Sequence, residues 1–256
     1  MNERDIADSF GVSPELLPFL PELLADIWVL GSWPEHIVEA LRELDLPRDA
    51  ARVLEVGCGK GAVCVPIASD LGFRVHGVDL FEPFLQEARA RAAEAGVADR
   101  CTFEQADMKE ALAREEAHDV VVLAGVGFVL GGIAETVGWL RRGVRPGGYI
   151  LIDDGYLSRK DRIDYPGYEP YRNRETTLQE LTAHGDELLK EVEVPLSEVK
   201  AYNARNNEVI ARRVTEVSLR HPELREQLLR YQQAEIEECL LLETETVAAI
   251  LLLQRT

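Results

Sequence analysis

The stretch Val53-Leu54-Glu55-Val56-Gly57-Cys58-Gly59-Lys60-Gly61 decides the fold class. It reads as a short buried strand that ends in a carboxylate, followed by glycine at every second position. Glycine takes positive φ without strain, and it has no Cβ to keep a ligand off the backbone. The residues that follow, Ala62-Val63-Cys64-Val65-Pro66-Ile67-Ala68, can open a helix whose first amides face the turn. The dinucleotide spacing G-x-G-x-x-G is absent, because the third glycine comes one residue early.

Outward from this turn, strands and helices alternate, the pattern of a parallel sheet with crossover helices. Strands are expected at 53–56, 74–79, 101–105, 119–124, 149–152, 188–194 and 246–253, and helices at 83–95, 135–142 and 178–184. The apolar run in 119–124 suits a central strand covered on both faces. Pro146-Gly147-Gly148 reads as a turn, and 155–176 as an aromatic, charged, Pro- and Gly-containing loop. Residues 196–244 read as two helices split near His221-Pro222, inserted between the last two strands. Upstream, Ser13-Pro14-Glu15 has the form of a helix start. Ser32-Trp33-Pro34-Glu35 has the form of a capping box, opening a helix through Ile37, Val38, Leu41 and Leu44 that Pro47 ends. The expected organisation is one domain over 1–256, with a core at about 45–155, 177–195 and 246–256 and a cap from 1–44, 156–176 and 196–245.

Composition narrows the function classes. A net charge of -18 speaks against a nucleic-acid partner, since backbone phosphates require a basic surface, and against an anionic membrane face. No run approaches the roughly 18 apolar residues of a membrane span. The acidic start Met1-Asn2-Glu3-Arg4-Asp5 lacks a signal-peptide core. Cys58, Cys64, Cys101 and Cys239 have no metal-type spacing and read as reduced thiols of a cytoplasmic protein. Cys58 reads as a small loop-filling residue, with no histidine near it in sequence to activate it. Small molecules remain as the expected substrates.

Four elements in order carry a family resemblance: the E-x-G-x-G-x-G turn; Asp79, closing His76-Gly77-Val78-Asp79 18 residues after Gly61; Ala106-Asp107-Met108 after the third strand; and Arg145-Pro146-Gly147-Gly148-Tyr149 entering the fifth. Together they resemble the class I, Rossmann-like S-adenosylmethionine-dependent methyltransferases, over about residues 50–155. The resemblance implies an α/β fold with a seven-stranded, mainly parallel sheet, helices on both faces and a helical cap. It also implies S-adenosyl-L-methionine as cofactor, S-adenosyl-L-homocysteine as product, and a cofactor site of Glu55, Gly57, Cys58, Gly59, Gly61, Asp79, Leu80, Asp107, Met108 and Ala124. In that site Glu55 holds the methionyl ammonium directly or through water, Asp79 accepts the ribose hydroxyls, and Asp107 accepts from the adenine amino group while the next amide meets the ring.

The fourth strand ends in Leu123-Ala124-Gly125-Val126-Gly127-Phe128, without the acidic or amide residue and Pro-Pro-aromatic motif of the members that modify bases and amides. Small residues there leave room for an acceptor or allow close packing. Candidate acceptor contacts are Gly125, Phe128, Tyr168, Tyr171 and Arg172, with Tyr202 and Asn206 on the helical stripe Val199, Tyr202, Asn206, Val209, Arg213. The alternatives are a surface aromatic loop and a stripe that emerges into solvent. Leu229, Ile236 and Leu240 on the second inserted helix read as packing positions. No metal is expected, because the adjacent Asp153 and Asp154 point to opposite faces and have no third ligand. No side chain is assigned as catalytic base; His36 reads as structural. A cofactor-binding protein with another group-transfer activity, or with no catalysis, would carry the same residues.

Overall fold

The computed structural model describes residues 6–7, 10–114 and 117–256; the acidic start at 1–5 lies outside them. The strands are β1 (Arg52–Val56), β2 (Arg74–Asp79), β3 (Cys101–Gln105), β4 (His118–Ala124), β5 (Val144–Leu157), β6 (Glu187–Glu193) and β7 (Thr246–Gln254). The helices, in chain order, are α1 (Leu20–Leu23), α2 (Pro34–Arg42), α3 (Cys64–Pro66), α4 (Glu82–Glu94), α5 (Met108–Leu112), α6 (Ile133–Gly143), α7 (Arg174–Leu181), α8 (Leu196–Arg220) and α9 (Arg225–Glu245). The chain forms two compact units: Val29–Val194 with Thr246–Thr256, and Met1–Trp28 with Pro195–Glu245.

The first unit holds a seven-stranded sheet in the order β3-β2-β1-β4-β5-β7-β6. Strands β1 to β5 pair in parallel, and β7 runs antiparallel to both β5 and β6. The middle of the sheet is apolar without alternation: Val53, Leu54, Val56 and Val120 to Leu123 are all buried, because helices cover both faces. The Rossmann-like expectation therefore stands.

Differences from the sequence reading cluster where distant segments meet. No helix begins at Ser13: between Ser13 and α2, a single 3-10 turn at Leu17–Phe19 and the four-residue α1 are the helical elements. Pro18 and Pro21 lack the amide hydrogens that a continuous helix would need. The capping box is displaced as well. α2 starts at Pro34 with Trp33 as its N-cap and no side-chain cap bond, and it ends at Arg42, ahead of Pro47. Strand β5 absorbs the expected turn at 146–148 as an irregularity in its pairing with β4, and β7 extends it to Leu157. α7 begins at Arg174 because the Asn173 side chain accepts from the Thr176 amide at 2.9 Å.

In the helical unit, α8 buries Val199, Asn203, Ile210, Val214 and Val217 along one stripe, and α9 buries Leu228 and Tyr231. Leu229, Ile236 and Leu240 were expected to pack; they are 49%, 41% and 60% exposed, because the buried face of α9 runs through Leu228 and Tyr231 instead. Arg213, on the stripe of Tyr202 and Asn206, pairs with Asp26 through Nε at 2.8 Å.

Candidate functional site

Parallel strands present their carboxyl ends along one edge, where ligands of open α/β sheets bind. Register fixes which side chains share a face there. Glu55 lies opposite Gly77 and Val122, and Ala124 lies opposite Asp153. With a side-chain period of two, Glu55, Asp79, Ala124 and Asp153 project from the same face of the sheet.

The glycine turn is held by this edge. Gly57, Gly59 and Gly61 all have positive φ. The amides of Gly57 and Cys58 donate to Val78 O at 2.8 and 3.0 Å. The Gly59 amide donates to Asp79 Oδ2 at 2.8 Å, and the Phe81 amide to Asp79 Oδ1 at 2.9 Å. Asp79 thus ties the end of β2 to the turn after β1. The glycines do not all keep space for a ligand. A Cβ on Gly57 would stand 2.6 Å from Val126 Cγ2, and one on Gly61 3.0 Å from Ala88 Cβ, so protein fills both places. A Cβ on Gly59 would meet only Leu30 Cδ1, at 3.6 Å.

Glu55 is buried beneath the turn at 2% exposure, and its Oε2 accepts from Cys64 Sγ at 2.8 Å. Burial pushes its carboxyl up to about 8; the thiol bond opposes that and the Asp79 charge adds to it. Burial likewise raises Asp79, against the pull of its backbone amides, and it raises the Cys58 and Cys64 thiols. Both sulfurs occupy the place of a Cβ at Gly77, 2.8 and 2.9 Å away, which explains a glycine in the middle of β2. Lys60, a polar residue of the turn that the sequence reading passed over, is buried against Glu87 at 3.0 Å and the Phe84 ring.

On the β3 side, Leu80 O accepts from Gln105 Nε2 at 2.8 Å. Asp107 is the N-cap of α5: its Oδ1 accepts from the amides of Lys109 (2.8 Å) and Glu110 (3.3 Å), with Met108 as the first helical residue. The β4 end is closed by backbone. A Cβ on Gly125 would lie 2.8 Å from Gly31 C and 2.9 Å from Leu30 O, so this glycine serves a close approach of the 30–31 segment. Phe128, Tyr168 and Tyr171 come together: Phe128 meets Tyr171 edge-on at 5.2 Å, and Tyr168 stacks on Tyr171 at 4.7 Å. Tyr171 Oη donates to Asp154 Oδ1 at 2.6 Å, and burial pushes Asp154 up to about 7. Arg172 turns its guanidinium back onto the carbonyls of Glu169 and Tyr171, each at 2.7 Å. Tyr202 and Asn206 belong to the helical unit and are half-buried on α8.

The sequence singles out Asp153 only to discount it as a metal ligand. Asp153 is 1% exposed, and its Oδ2 accepts from the Trp33 amide at 2.6 Å while Oδ1 has no hydrogen-bond partner among the described residues. Its backbone carbonyl accepts from the Gly125 amide at 3.0 Å. Burial holds its pKa well above the usual carboxylate range, and the neighbouring Asp154 and Glu55 charges push the same way. The Trp33 and Asp153 partners stand 120 positions apart, so no local signal pointed to them. Among the described residues no three metal-type side chains group to hold an ion, and no helix is long and apolar enough to cross a membrane.

Comparison with known proteins agrees with this architecture. Residues 53–148 match the family model of a methyltransferase domain. The uncharacterized protein YjhP of Escherichia coli (strain K12) is 32% identical over 109 residues, which is 43% of this chain and 44% of that protein. Aklanonic acid methyltransferase DauC of Streptomyces sp. (strain C5) is 39% identical over 59 residues, 22% of this chain and 27% of that protein. The matched stretches thus span less than half the length of these relatives. The crystal structure of a SAM-dependent methyltransferase from Geobacter sulfurreducens in complex with S-adenosyl-L-homocysteine has the same fold, with a TM-score of 0.77 at 22% identity, covering 93% of this chain and 97% of that one. With the glycine turn, the β2 carboxylate and the sheet order in place, the 53–148 core of this chain is similar to the methyltransferase-domain family.

Proposed function

We propose that this chain binds S-adenosylmethionine and transfers its methyl group to a small-molecule acceptor. One observation carries the reading: Asp79 joins the glycine turn to β2 through Gly59 and Phe81. A carboxylate has about four acceptor positions, so each oxygen keeps a second one for a ribose hydroxyl. In this reading the cofactor set is Glu55, Gly57, Cys58, Gly59, Gly61, Asp79, Leu80, Asp107, Met108 and Ala124, and Gly125, Phe128, Tyr168, Tyr171 and Arg172 border the acceptor. The residues present fit such a ligand. The turn is clamped in one shape, Gly59 keeps its side open, and the shared face carries acidic groups for a cation-bearing molecule.

When bound, S-adenosylmethionine supplies a methyl group on an already charged sulfonium leaving group. The chain's contribution is then alignment and exclusion of water. Buried Ala124 and the backbone of Leu30 and Gly31 against Gly125 close the β4 end, and the Phe128–Tyr171 pair walls the next position. A base is required only where the acceptor atom carries a proton at neutral pH. A small acceptor agrees with the name of the DauC relative, an aklanonic acid methyltransferase, and with the net charge of -18.

The test is calorimetric titration with S-adenosylhomocysteine, followed by incubation with S-adenosylmethionine and a panel of small hydroxylated, amine and thiol acceptors. Micromolar binding and acceptor-dependent formation of S-adenosylhomocysteine are expected. Methylthioadenosine as the product would assign a different group transfer, and absence of binding would remove the reading.

A further inference from the structure

Asp153 and Asp79 stand on the same sheet face, yet their hydrogen bonding differs. Both oxygens of Asp79 accept backbone amides, whereas Asp153 has one oxygen on the Trp33 amide and the other unpaired at 1% exposure. An unpaired buried polar atom is costly, and native structures retain few without a use. The charged groups that bear on Asp153 are themselves acidic: Asp154 beside it on β5 and Glu55 from β1. The Trp33 amide at the start of α2 and the backbone of Gly125 at the end of β4 complete its surroundings. A ligand group that both donates a hydrogen bond and carries positive charge satisfies the oxygen and favours ionisation among these closely spaced buried carboxyls. A neutral hydroxyl would do only the first.

We propose that Asp153 Oδ1 is the receptor for a protonated amine at the strand-end edge between β1 and β5. The inference rests on the cofactor reading above. The amine has two possible sources, the amino-acid end of the cofactor or an amine-bearing acceptor. The sheet order places Asp153 on the opposite side of the β1 turn from Asp79, away from the ribose contact and beyond β4.

The experiment titrates the wild-type chain and Asp153→Asn with three probes. S-adenosylhomocysteine carries the amino-acid amine, methylthioadenosine lacks it, and sinefungin carries a second amine in place of the transferred methyl. Asparagine keeps an oxygen for the Trp33 amide and cannot ionise against an ammonium; thermal melting checks folding, and Asp153→Ser is the second variant. Unchanged binding of methylthioadenosine with a loss of tenfold or more on an amine ligand is expected. Loss on both S-adenosylhomocysteine and sinefungin assigns the cofactor's own amine, and loss on sinefungin alone assigns the acceptor position. Equal affinities for all three probes, or an equal loss on all three, overturn the proposal. Failure of the wild-type chain to bind any probe would take down the cofactor reading and this inference with it, an outcome distinct from the others.

Discussion

Two stretches of the sheet edge hold acidic groups in opposite ways. At β2, Asp79 is committed to the backbone: the Gly59 and Phe81 amides occupy it, and the glycine turn depends on it. At β5, Asp153 has a single backbone amide, and its other oxygen is buried without a partner among the described residues. Glu55 lies between them, covered and bonded to a thiol. Asp79 is anchored through both oxygens and keeps further acceptor positions for a ligand, whereas Asp153 is anchored through one oxygen alone. Burial raises the pKa of both Asp79 and Asp153, so protonation alone does not distinguish them; partnership does.

The largest expected effect tests the carboxyl between the two. The Glu55 carboxyl moves from 4.5 to about 8 on folding, so the folded chain binds more protons than the unfolded chain between those values. Its contribution to stability is therefore complete below pH 4.5 and is lost as pH rises toward 8, on the order of a few kcal/mol. Glu55→Gln should flatten that part of the pH–stability curve in the ligand-free chain and raise Tm at pH 8.5. An unchanged slope in urea titrations across this range would mean that Glu55 is not the buried proton site.

Asp79→Ala should weaken S-adenosylhomocysteine by about 1.5–3 kcal/mol, the size of a charge-assisted hydrogen bond, or roughly 10- to 150-fold in Kd. Calorimetry showing wild-type affinity would remove Asp79 from the site. Gly77→Ala probes the packing beneath the same turn. Its Cβ would come within 2.9 Å of Cys58 Sγ, Cys64 Sγ and Phe103 Cδ1, an overpacking expected to cost about 1–3 kcal/mol in denaturant melts. The smallest effect separates capping from recognition at Asp107. Asp107→Asn keeps an equivalent N-cap, so stability should change by less than about 0.5 kcal/mol. A fall in S-adenosylhomocysteine affinity in that variant then reports a contact with the ligand and not the loss of α5.

Sequence revealed most of the sheet. β2 and β3 have the bounds that their residues suggested, because each follows a helix ended by a left-handed glycine, Gly72 or Gly96, which is a local statement. The four strand-end motifs were also legible, since each occupies a few consecutive residues. What escaped was set by partners far along the chain. Trp33 replaces Ser32 as the helix cap, and its amide bonds to Asp153, with 120 positions between them. β5 runs through Pro146-Gly147-Gly148 because β4 pairs with Val144 before them and Tyr149 after them, while Arg255 bonds the backbone of Gly147 and Gly148. The helical stripe of Leu229, Ile236 and Leu240 was misjudged because apolar spacing identifies a face without naming what covers it.

The position of β7 has a consequence for synthesis. Among the described residues β6 pairs only with β7, and 52 residues, 194–245, lie between the end of one and the start of the other. On the ribosome β6 must remain unzipped while α8 and α9 are translated, with one margin of β5 bare for the same interval. Chains stalled before residue 246 should therefore be sticky in a way that the finished molecule is not, and chaperone capture should peak over that window of nascent lengths.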